Sequence, residues 1–220
     1  MYVWHWGVVW SHLAYLVGGL ELTAVITVTS MAIGSALGVG VAGARLSRWW
    51  PLRLAVGAYI EFVRGTPFLV QLLWLYYAIP IVTGLNYPSI VAAIAAGSLN
   101  IAAYNGELFR AGILAVPSGQ QDAALALGMT RWAAFRRVTW PQALRIVLAP
   151  LGSTWVGLFK DTSLVSIIAV SELMYRAQTL AINTFRPAEL YTAAAVIYFL
   201  VTYPQARFLD RTFKRLSVHA

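Results

Sequence analysis

The fold is decided by stretches such as residues 16–44, LVGGLELTAVITVTSMAIGSALGVGVAGA, in which Glu21 is the only charged residue. A helix of about 20 mainly apolar residues crosses a hydrocarbon core of about 30 Å, and this stretch exceeds that length. The whole chain of 220 residues is 60% hydrophobic and 11% charged, whereas soluble domains carry roughly 25% charged residues. We therefore expect lipid to surround most of the chain.

Four further stretches share this character and predict an all-α membrane protein. The predicted transmembrane helices cover residues 16–44, 54–79, 89–109, 144–166 and 190–208, in a single domain over residues 1–220. Polar residues at 160–163 interrupt the fourth span and predict a loop at membrane depth, which is tolerated where protein buries it or where it lines a cavity. Residues 1–11 lack the basic segment of a cleaved signal peptide, so we expect the first helix to remain as a span.

The basic residues lie mostly on one side of the predicted spans. Twelve fall within 45–53, 110–145 and 207–215, and only Arg176 and Arg186 fall in the loops on the other side. Because Lys and Arg concentrate in cytoplasmic loops, we predict a multi-pass inner-membrane protein with its N-terminus outside and its C-terminus in the cytoplasm. The same positions explain the net charge of +8 without a nucleic-acid partner.

Several classes of chemistry find no support in the sequence. The chain has no cysteine, and its three histidines, His5, His12 and His219, lie at the two termini. No nucleophile motif, metal motif or ATP-binding P-loop is present. Residues 38–43 spell G-x-G-x-x-G, but they lie inside an apolar span with no strand before them, so we interpret Gly34 and Gly38 as helix-packing positions. We expect a protein that is not an enzyme and holds no cofactor.

The loop at residues 116–141 is too polar to cross a membrane and carries strong helix signals. Ser118 is a predicted N-cap, and Gly128 a predicted left-handed stop, for a short helix over residues 119–127. Ala123 and Ala124 give that helix a small-residue surface that another backbone can approach closely. Taken alone, the segment could also be a simple amphipathic helix at the membrane surface.

A second helix follows in the same loop. Thr130 is its predicted N-cap, and Pro141 is its predicted end. Trp132 and Phe135 can enter the membrane interface, and the arginines between them can reach lipid phosphates.

The spacing within the loop resembles a known motif. Asp122, Ala123 and Ala124, then Gly128 after three residues and Val138 after nine more, with Pro141 closing the series, resemble the EAA loop of ABC importer membrane subunits, E-A-A-x3-G-x9-I-x-L-P. Asp, Val and Trp stand where the motif has Glu, Ile and Leu. In that family the loop forms a coupling helix that sits in a cleft of the ATPase subunit.

The resemblance extends over residues 58–173. Residues 61–71, EFVRGTPFLVQ, are similar to the E-x-x-R-G-T-P-x-L-V-Q segment of polar amino-acid permeases of the histidine, glutamate and arginine type. Further matches lie at 104–113, 160–164 and 172–173. The resemblance implies a type I ABC importer permease fold with five spans and a cytoplasmic coupling helix.

The resemblance also implies partners. Two such permeases, as copies or relatives, would form one pore above two ABC ATPase subunits that carry ATP and Mg²⁺, and a periplasmic or lipid-anchored substrate-binding protein would deliver the substrate. That substrate would be a polar amino acid or a similar zwitterion, with opines and ectoine-like osmolytes as alternatives. An autonomous channel or secondary carrier is the competing class, and it would need no ATPase-docking loop.

Two groups of residues are predicted to carry the function. The predicted ATPase-coupling residues are Gln120, Gln121, Asp122, Ala123, Ala124 and Gly128. The predicted substrate-path residues are Glu61, Arg64, Thr66, Asn100, Tyr104, Glu107, Lys160, Asp161, Thr162 and Ser163. Ionisable residues inside spans either pair with one another or face a water-filled path. Both interpretations remain open for Glu61 with Arg64 and for Glu107 with Arg110, which are spaced as neighbours on one helical face.

Overall fold

Helices form most of the described chain. The computed structural model describes residues 2–217 and the side chains of residues 2–212, so His219 lies outside the described residues. The helices are α1 Gly7–Ser11, α2 Leu13–Gly18, α3 Leu20–Arg45, α4 Trp50–Gly65, α5 Phe68–Leu73, α6 Ile79–Thr83, α7 Ser89–Ala115, α8 Ser118–Ala126, α9 Arg131–Ala134, α10 Trp140–Asp161, α11 Leu173–Thr184 and α12 Pro187–Ser217. Two π-helical segments, Trp74–Ala78 and Phe135–Thr139, and a 3-10 helix, Thr162–Ile168, join some of them.

Three described helical stretches are long and apolar enough to cross a membrane, namely Leu13–Arg45, Ser89–Ala115 and Arg131–Ile168. A fourth is counted if Trp50–Gly65 and Phe68–Thr83, which meet at an angle of 110°, form one span. The third predicted span is six residues longer than expected, since α7 ends at Ala115 and not at 109. The fifth span, expected at 190–208, lies within the 31-residue helix α12 and stays a prediction.

Close contact between α3 and α7 forms the centre of the molecule. A Cβ atom at Gly34 would lie 2.7 Å from Ser98 O, and one at Gly38 would lie 3.1 Å from Gly106 N. Only glycine allows the two backbones to approach this closely, as in other membrane helix pairs. The prediction that Gly34 and Gly38 serve helix packing is therefore confirmed.

The second predicted span, 54–79, is not one straight helix. Thr66 adopts an extended conformation, with φ −116° and ψ 144°, between α4 and α5. The residue before a proline is sterically biased away from the helical region, and Pro67 imposes that bias on Thr66. The chain therefore bends where the sequence pattern predicts a continuous apolar helix.

The fourth span is longer and less broken than predicted. It begins at Arg131 and runs to Ile168, so Pro141 does not end the preceding helix. A proline lacks an N–H and clashes with the carbonyl four residues earlier. The π-helical turn Phe135–Thr139 directly before α10 changes the spacing of that carbonyl and accommodates the ring. The predicted loop at 160–163 is instead a tightening into the 3-10 helix.

Two fully buried carboxylates fix the segments at the other end of the bundle. Glu172 caps α11 by accepting a hydrogen bond from Tyr175 N at 2.8 Å, and it accepts another from the Tyr198 hydroxyl of α12 at 2.7 Å. Glu189, at the start of α12, accepts hydrogen bonds from the Tyr2 hydroxyl and from His5 N. These contacts join the first residues of the chain to its last helix.

Candidate coupling helix and translocation path

The short helix α8 lies between two membrane-spanning helices and presents a polar outer surface. Gln120, Gln121, Asp122 and Ala123 are exposed on it. Pro117 occupies the N-cap position and no side chain caps the helix, so the predicted capping role of Ser118 is wrong. Proline at that position fixes the backbone that enters the helix, and Ser118 becomes its first helical residue.

Gly128 ends α8 in the predicted left-handed conformation, with φ at +81°. Gly128 N donates to Leu125 O at 2.9 Å, and Met129 N donates to Ala124 O at 3.1 Å. These two bonds form a Schellman cap, which satisfies carbonyls that the helix end would leave free. The prediction for Gly128 is confirmed, and the joint after α8 has a defined geometry.

Ala124 does not belong to the outer surface of α8. Its exposed fraction is only 4%, and α8 packs on α9 and on the π-helical turn Phe135–Thr139. Ala123 and Ala126 are exposed. Ala124 was predicted to lie on the docking surface. It lies instead on the inner face of α8, which packs on α9 and the π turn.

The helix after α8 begins as predicted. The Thr130 hydroxyl accepts a hydrogen bond from Ala133 N at 3.2 Å, which is the expected N-cap. Trp132 and Phe135 stack with ring centroids 5.8 Å apart. Since α9 leads directly through the π turn into α10, a displacement of α8 can reach the long membrane helix through a short, ordered joint.

A hydrogen-bond network stabilises the bend between α4 and α5. The Gln71 amide nitrogen donates to Val63 O at 2.7 Å and to Thr66 O at 3.0 Å, two carbonyls that the bend deprives of helical partners. Its amide oxygen accepts from Asn100 Nδ2 on α7 at 3.0 Å. The structure thus brings the predicted path residues Thr66 and Asn100 together through Gln71. Gln71 lies in the segment 61–71 but is not among the predicted path residues.

Arg64 and Tyr104 also meet, one turn from this network. The Arg64 guanidinium lies 5.5 Å from the centroid of the Tyr104 ring, a cation–π contact. Both side chains are exposed on the same surface of α4 and α7, as is Glu61. Within the described residues Glu61 and Arg64 form no ion pair, because the guanidinium faces the aromatic ring. Of the two interpretations left open for them, the paired one is therefore not observed.

Glu107 has a structural role at the other end of α7. Its carboxylate binds Arg110 at 2.8 Å, the predicted pair, and also Arg45 of α3 at 3.2 Å. Arg45 in turn donates to Arg53 O at 3.3 Å. This partly buried cluster joins α3, α4 and α7. Both carboxylate oxygens of Glu107 accept hydrogen bonds within it.

The remaining predicted path residues form a separate group at the end of α10. Lys160 and Asp161 are exposed, and Thr162 is buried with its hydroxyl donating to Phe159 O at 2.7 Å. Ser163 O accepts from the Ser166 hydroxyl at 2.7 Å. Across the chain from 2 to 212, no hydrogen bond or ion pair joins this group to the one around Arg64. Apart from Glu107, the predicted path residues therefore lie in two clusters.

The described residues hold no cluster of His, Asp and Glu side chains that could bind a metal ion. The exposed groups are instead suited to transient contact. A cation beside an aromatic ring can meet the carboxylate of a small solute, and nearby amide and hydroxyl groups can meet its polar groups. The exposed Lys160 and Asp161 can meet charges of either sign.

Comparisons with known proteins place these features in context. Residues 34–217 match the family described as "Binding-protein-dependent transport system inner membrane component". The glutamine transport system permease protein GlnP of Escherichia coli K12 is 34% identical over 214 residues, covering 97% of this chain and 98% of that protein. The L-cystine transport system permease protein TcyB of Bacillus subtilis 168 is 41% identical over 191 residues, covering 86% and 80%. A crystal structure of an amino acid ABC transporter with histidines superposes with a TM-score of 0.90 at 34% identity, covering 97% of this chain and all of that chain.

Proposed function

The chain belongs to the family of binding-protein-dependent transport system inner membrane components, and from this premise we propose what it transports and how. It is a non-catalytic permease subunit of an ABC importer, an all-helical membrane protein with the type I importer permease fold. We propose that it forms the path for a polar amino acid or a similar small zwitterion. The exposed and capped helix α8, set between two membrane-spanning helices, is the observation that carries the proposal.

The proposed partners follow from this role. Two ABC ATPase subunits, loaded with ATP and Mg²⁺, serve a pair of permeases. One of them holds α8 of this chain through Gln120, Gln121, Asp122 and Ala123, and Gly128 forms the joint. A second permease, a copy or a relative, completes the pore, and an external substrate-binding protein delivers the solute. The five-span topology, with the N-terminus outside and the C-terminus in the cytoplasm, places α8 on the side of the ATPases.

The long helix from Arg131 to Ile168 supports a direct route from the ATPase to the path. It begins beside α8 and carries Lys160 and Asp161 near its far end. At 1.5 Å per residue the two ends of this route are about 44 Å apart. A rigid-body motion imposed on α8 thus moves Lys160 and Asp161 relative to Arg64 and Tyr104, which alternates access to the path.

A substrate contact is proposed at each cluster. Arg64 meets the solute's carboxylate. A charged side chain within a span pairs with an opposite charge or faces a water-filled path, and among the described residues Arg64 has no carboxylate partner. Thr66 and Asn100 add hydrogen bonds, and Tyr104 holds the guanidinium in place. Lys160, Asp161, Thr162 and Ser163 line the second half of the path, where the helix changes type and backbone groups are less completely paired.

Cross-linking and uptake test the proposal together. The chain has no cysteine, so Asp122→Cys supplies a single attachment point for a cross-linker in the purified, transport-active complex. We expect capture of a nucleotide-hydrolysing subunit, and uptake that depends on ATP and not on an ion gradient. A panel of amino acids, opines and ectoine-like osmolytes, offered to the external receptor, identifies the solute. Uptake driven by an ion gradient alone, with no ATPase captured in an active preparation, would refute it.

A further inference from the structure

A groove lies beneath α8, where α3 and α7 end. It has a volume of about 720 Å³, within the range of sites that hold small organic molecules. Apolar and aromatic side chains form most of its walls, including Val39, Ile113 and Leu114 on one side and Phe135 and Trp140 on the other. Of the residues that line it, only Gln121 also belongs to the proposed ATPase contact.

One polar group in the groove has no partner. The Thr139 hydroxyl is buried, with the residue 5% exposed, and makes no hydrogen bond in the described chain. Other helical threonines, such as Thr27, Thr83 and Thr179, donate to the carbonyl four residues earlier. Thr139 ends the π-helical turn, where that carbonyl is displaced. An unsatisfied buried hydroxyl costs about 1–3 kcal/mol, so a partner from outside the chain would stabilise this site.

The surroundings of the groove carry unbalanced positive charge. Arg131, Arg136 and Arg137 are exposed next to the lining residues, and none of them pairs with a carboxylate among residues 2–212. Trp132, which also lines the groove, has an exposed fraction of 67%. Exposed tryptophan marks the level of lipid headgroups, and each basic residue near a membrane surface attracts anionic lipid by about 1 kcal/mol.

We propose that this groove is a binding site for an anionic diacyl phospholipid of the adjacent leaflet. One acyl chain lies against the apolar walls, a rotation of Thr139 about χ1 turns its hydroxyl toward an ester carbonyl, and the phosphate lies at the rim, where Arg131, Arg136 and Arg137 supply positive charge. The bound lipid braces α8 against α9. That this is the cytoplasmic leaflet, and that the brace affects coupling, rests on the proposed function; the binding itself does not.

Two glycines of α3 provide a matched pair of variants. Gly43 lines the groove and Gly40 does not, and a Cβ atom at either position would meet no atom within 4 Å. Gly43→Leu therefore adds a side chain at the groove from a Cβ position that is free of contacts, while Gly40→Leu makes the same change outside it. Thr139→Val removes only the hydroxyl and keeps the side-chain shape.

Native mass spectrometry of the delipidated full chain, titrated with phosphatidylglycerol or phosphatidylcholine, tests the site. We expect wild type and Gly40→Leu to retain phosphatidylglycerol at least about fivefold better than phosphatidylcholine. Gly43→Leu should lose that retention, and Thr139→Val should weaken it about fivefold, the loss of one hydrogen bond.

Three results would overturn the proposal. Equal retention by Gly43→Leu and Gly40→Leu would place the lipid elsewhere, and equal binding of the two lipids would remove the role of charge. In the assembled complex, a photo-reactive group at Trp132 that captures an ATPase peptide and no lipid would make the groove a protein contact. Because lipid retention is measured without transport, its failure leaves the proposed transport function standing, and failure to capture an ATPase from Asp122 leaves the lipid site standing.

Discussion

Gly128 shows how much of the coupling joint depends on one residue. A side chain at its φ of +81° would clash with the following carbonyl, and no neighbouring atom compensates. We expect Gly128→Ala to destabilise the end of α8 by about 1 kcal/mol. Substrate-stimulated ATP hydrolysis and uptake in reconstituted vesicles should fall about fivefold, with membrane insertion unchanged.

Gly119→Ala is the matched control for that variant. Gly119 lies in the same helix, has no positive φ, and a Cβ atom there would meet nothing within 4 Å. Alanine is a better helix former than glycine, so this variant should transport as well as wild type. Equal transport by the two variants would show that the left-handed joint is not needed for coupling.

A second residue-scale prediction concerns the contact of α7 with α10. A Cβ atom at Gly112 would overlap Val147 Cγ1 and lie 3.1 Å from Ala143 O. Gly112→Ala should therefore destabilise the protein by about 1–3 kcal/mol, measured as thermal unfolding in detergent. Adding Val147→Ala should recover part of that loss, because the two changes are coupled. Strict additivity of the two changes in a double-mutant cycle would contradict the contact.

Two predictions about local backbone geometry are confirmed, although the predicted N-cap at Ser118 is wrong. Gly128 and Thr130 were predicted because a left-handed stop and an N-cap depend on a few adjacent backbone groups. Ala124 was misplaced because its burial depends on α9 and the π turn, which the sequence of α8 does not contain. Helical spacing left an ion pair of Arg64 with Glu61 open, whereas the Tyr104 ring that Arg64 contacts lies on another helix.

At the scale of elements, the bend between α4 and α5 is fixed by Gln71. Its amide makes three hydrogen bonds to Val63 and Thr66 and accepts one from Asn100. Net hydrogen bonds between membrane helices average about 0.6 kcal/mol each, so Gln71→Leu should cost about 2 kcal/mol. Thermal unfolding of the purified protein measures this loss, and uptake should fall because Thr66 and Asn100 are no longer held together.

Gln142→Leu is the control for Gln71→Leu. Gln142 has the same side chain, but it makes one hydrogen bond, to Val138 O of the preceding turn at 3.0 Å. Its replacement should lower the unfolding temperature much less. If both leucine variants unfold at the same temperature, the bend does not depend on the Gln71 network.

The two irregular elements explain why the spans were drawn imperfectly. Apolar composition predicts that a segment enters the membrane, but it does not report the direction of the helix axis. Pro67 and Pro141 have opposite outcomes, since the first bends the chain and the second is accommodated by a π turn. Which outcome occurs depends on tertiary contacts, so the bend at Thr66 and the continuous helix through Pro141 could not be read from the pattern.

For the whole molecule, sequence predicted the helical membrane fold and one ion pair within a helix, but not the partners that charged residues have on other helices. The pair of Glu107 with Arg110 followed from helical spacing. Its third member, Arg45, is 62 positions away and is joined only by the packing of α3 on α7. Likewise Glu189 gains Tyr2 as a partner only when the two ends of the chain meet.

The bend between α4 and α5 decides how many times the chain crosses the membrane. Residues 50–65 and 68–83 are each about 24 Å long as helices, shorter than the hydrocarbon core. They form either one broken span or a re-entrant pair that returns to its starting side. The loop at 84–88 contains no Lys or Arg, whereas Arg48 and Arg53 flank the start of α4. This asymmetry favours a broken span with residues 84–88 outside.

Single cysteines in this cysteine-free chain distinguish the two topologies. Trp49, Leu85 and Leu127 are all highly exposed, so each can be replaced without disturbing the core. A membrane-impermeant maleimide added to spheroplasts should label Leu85→Cys, and should label Trp49→Cys and Leu127→Cys only after permeabilisation. The opposite behaviour of positions 49 and 85 is the informative result, because only a span between them places them on different sides. Labelling of positions 49 and 85 under the same condition would make α4 to α6 a re-entrant pair, and the five-span topology would then fall to four.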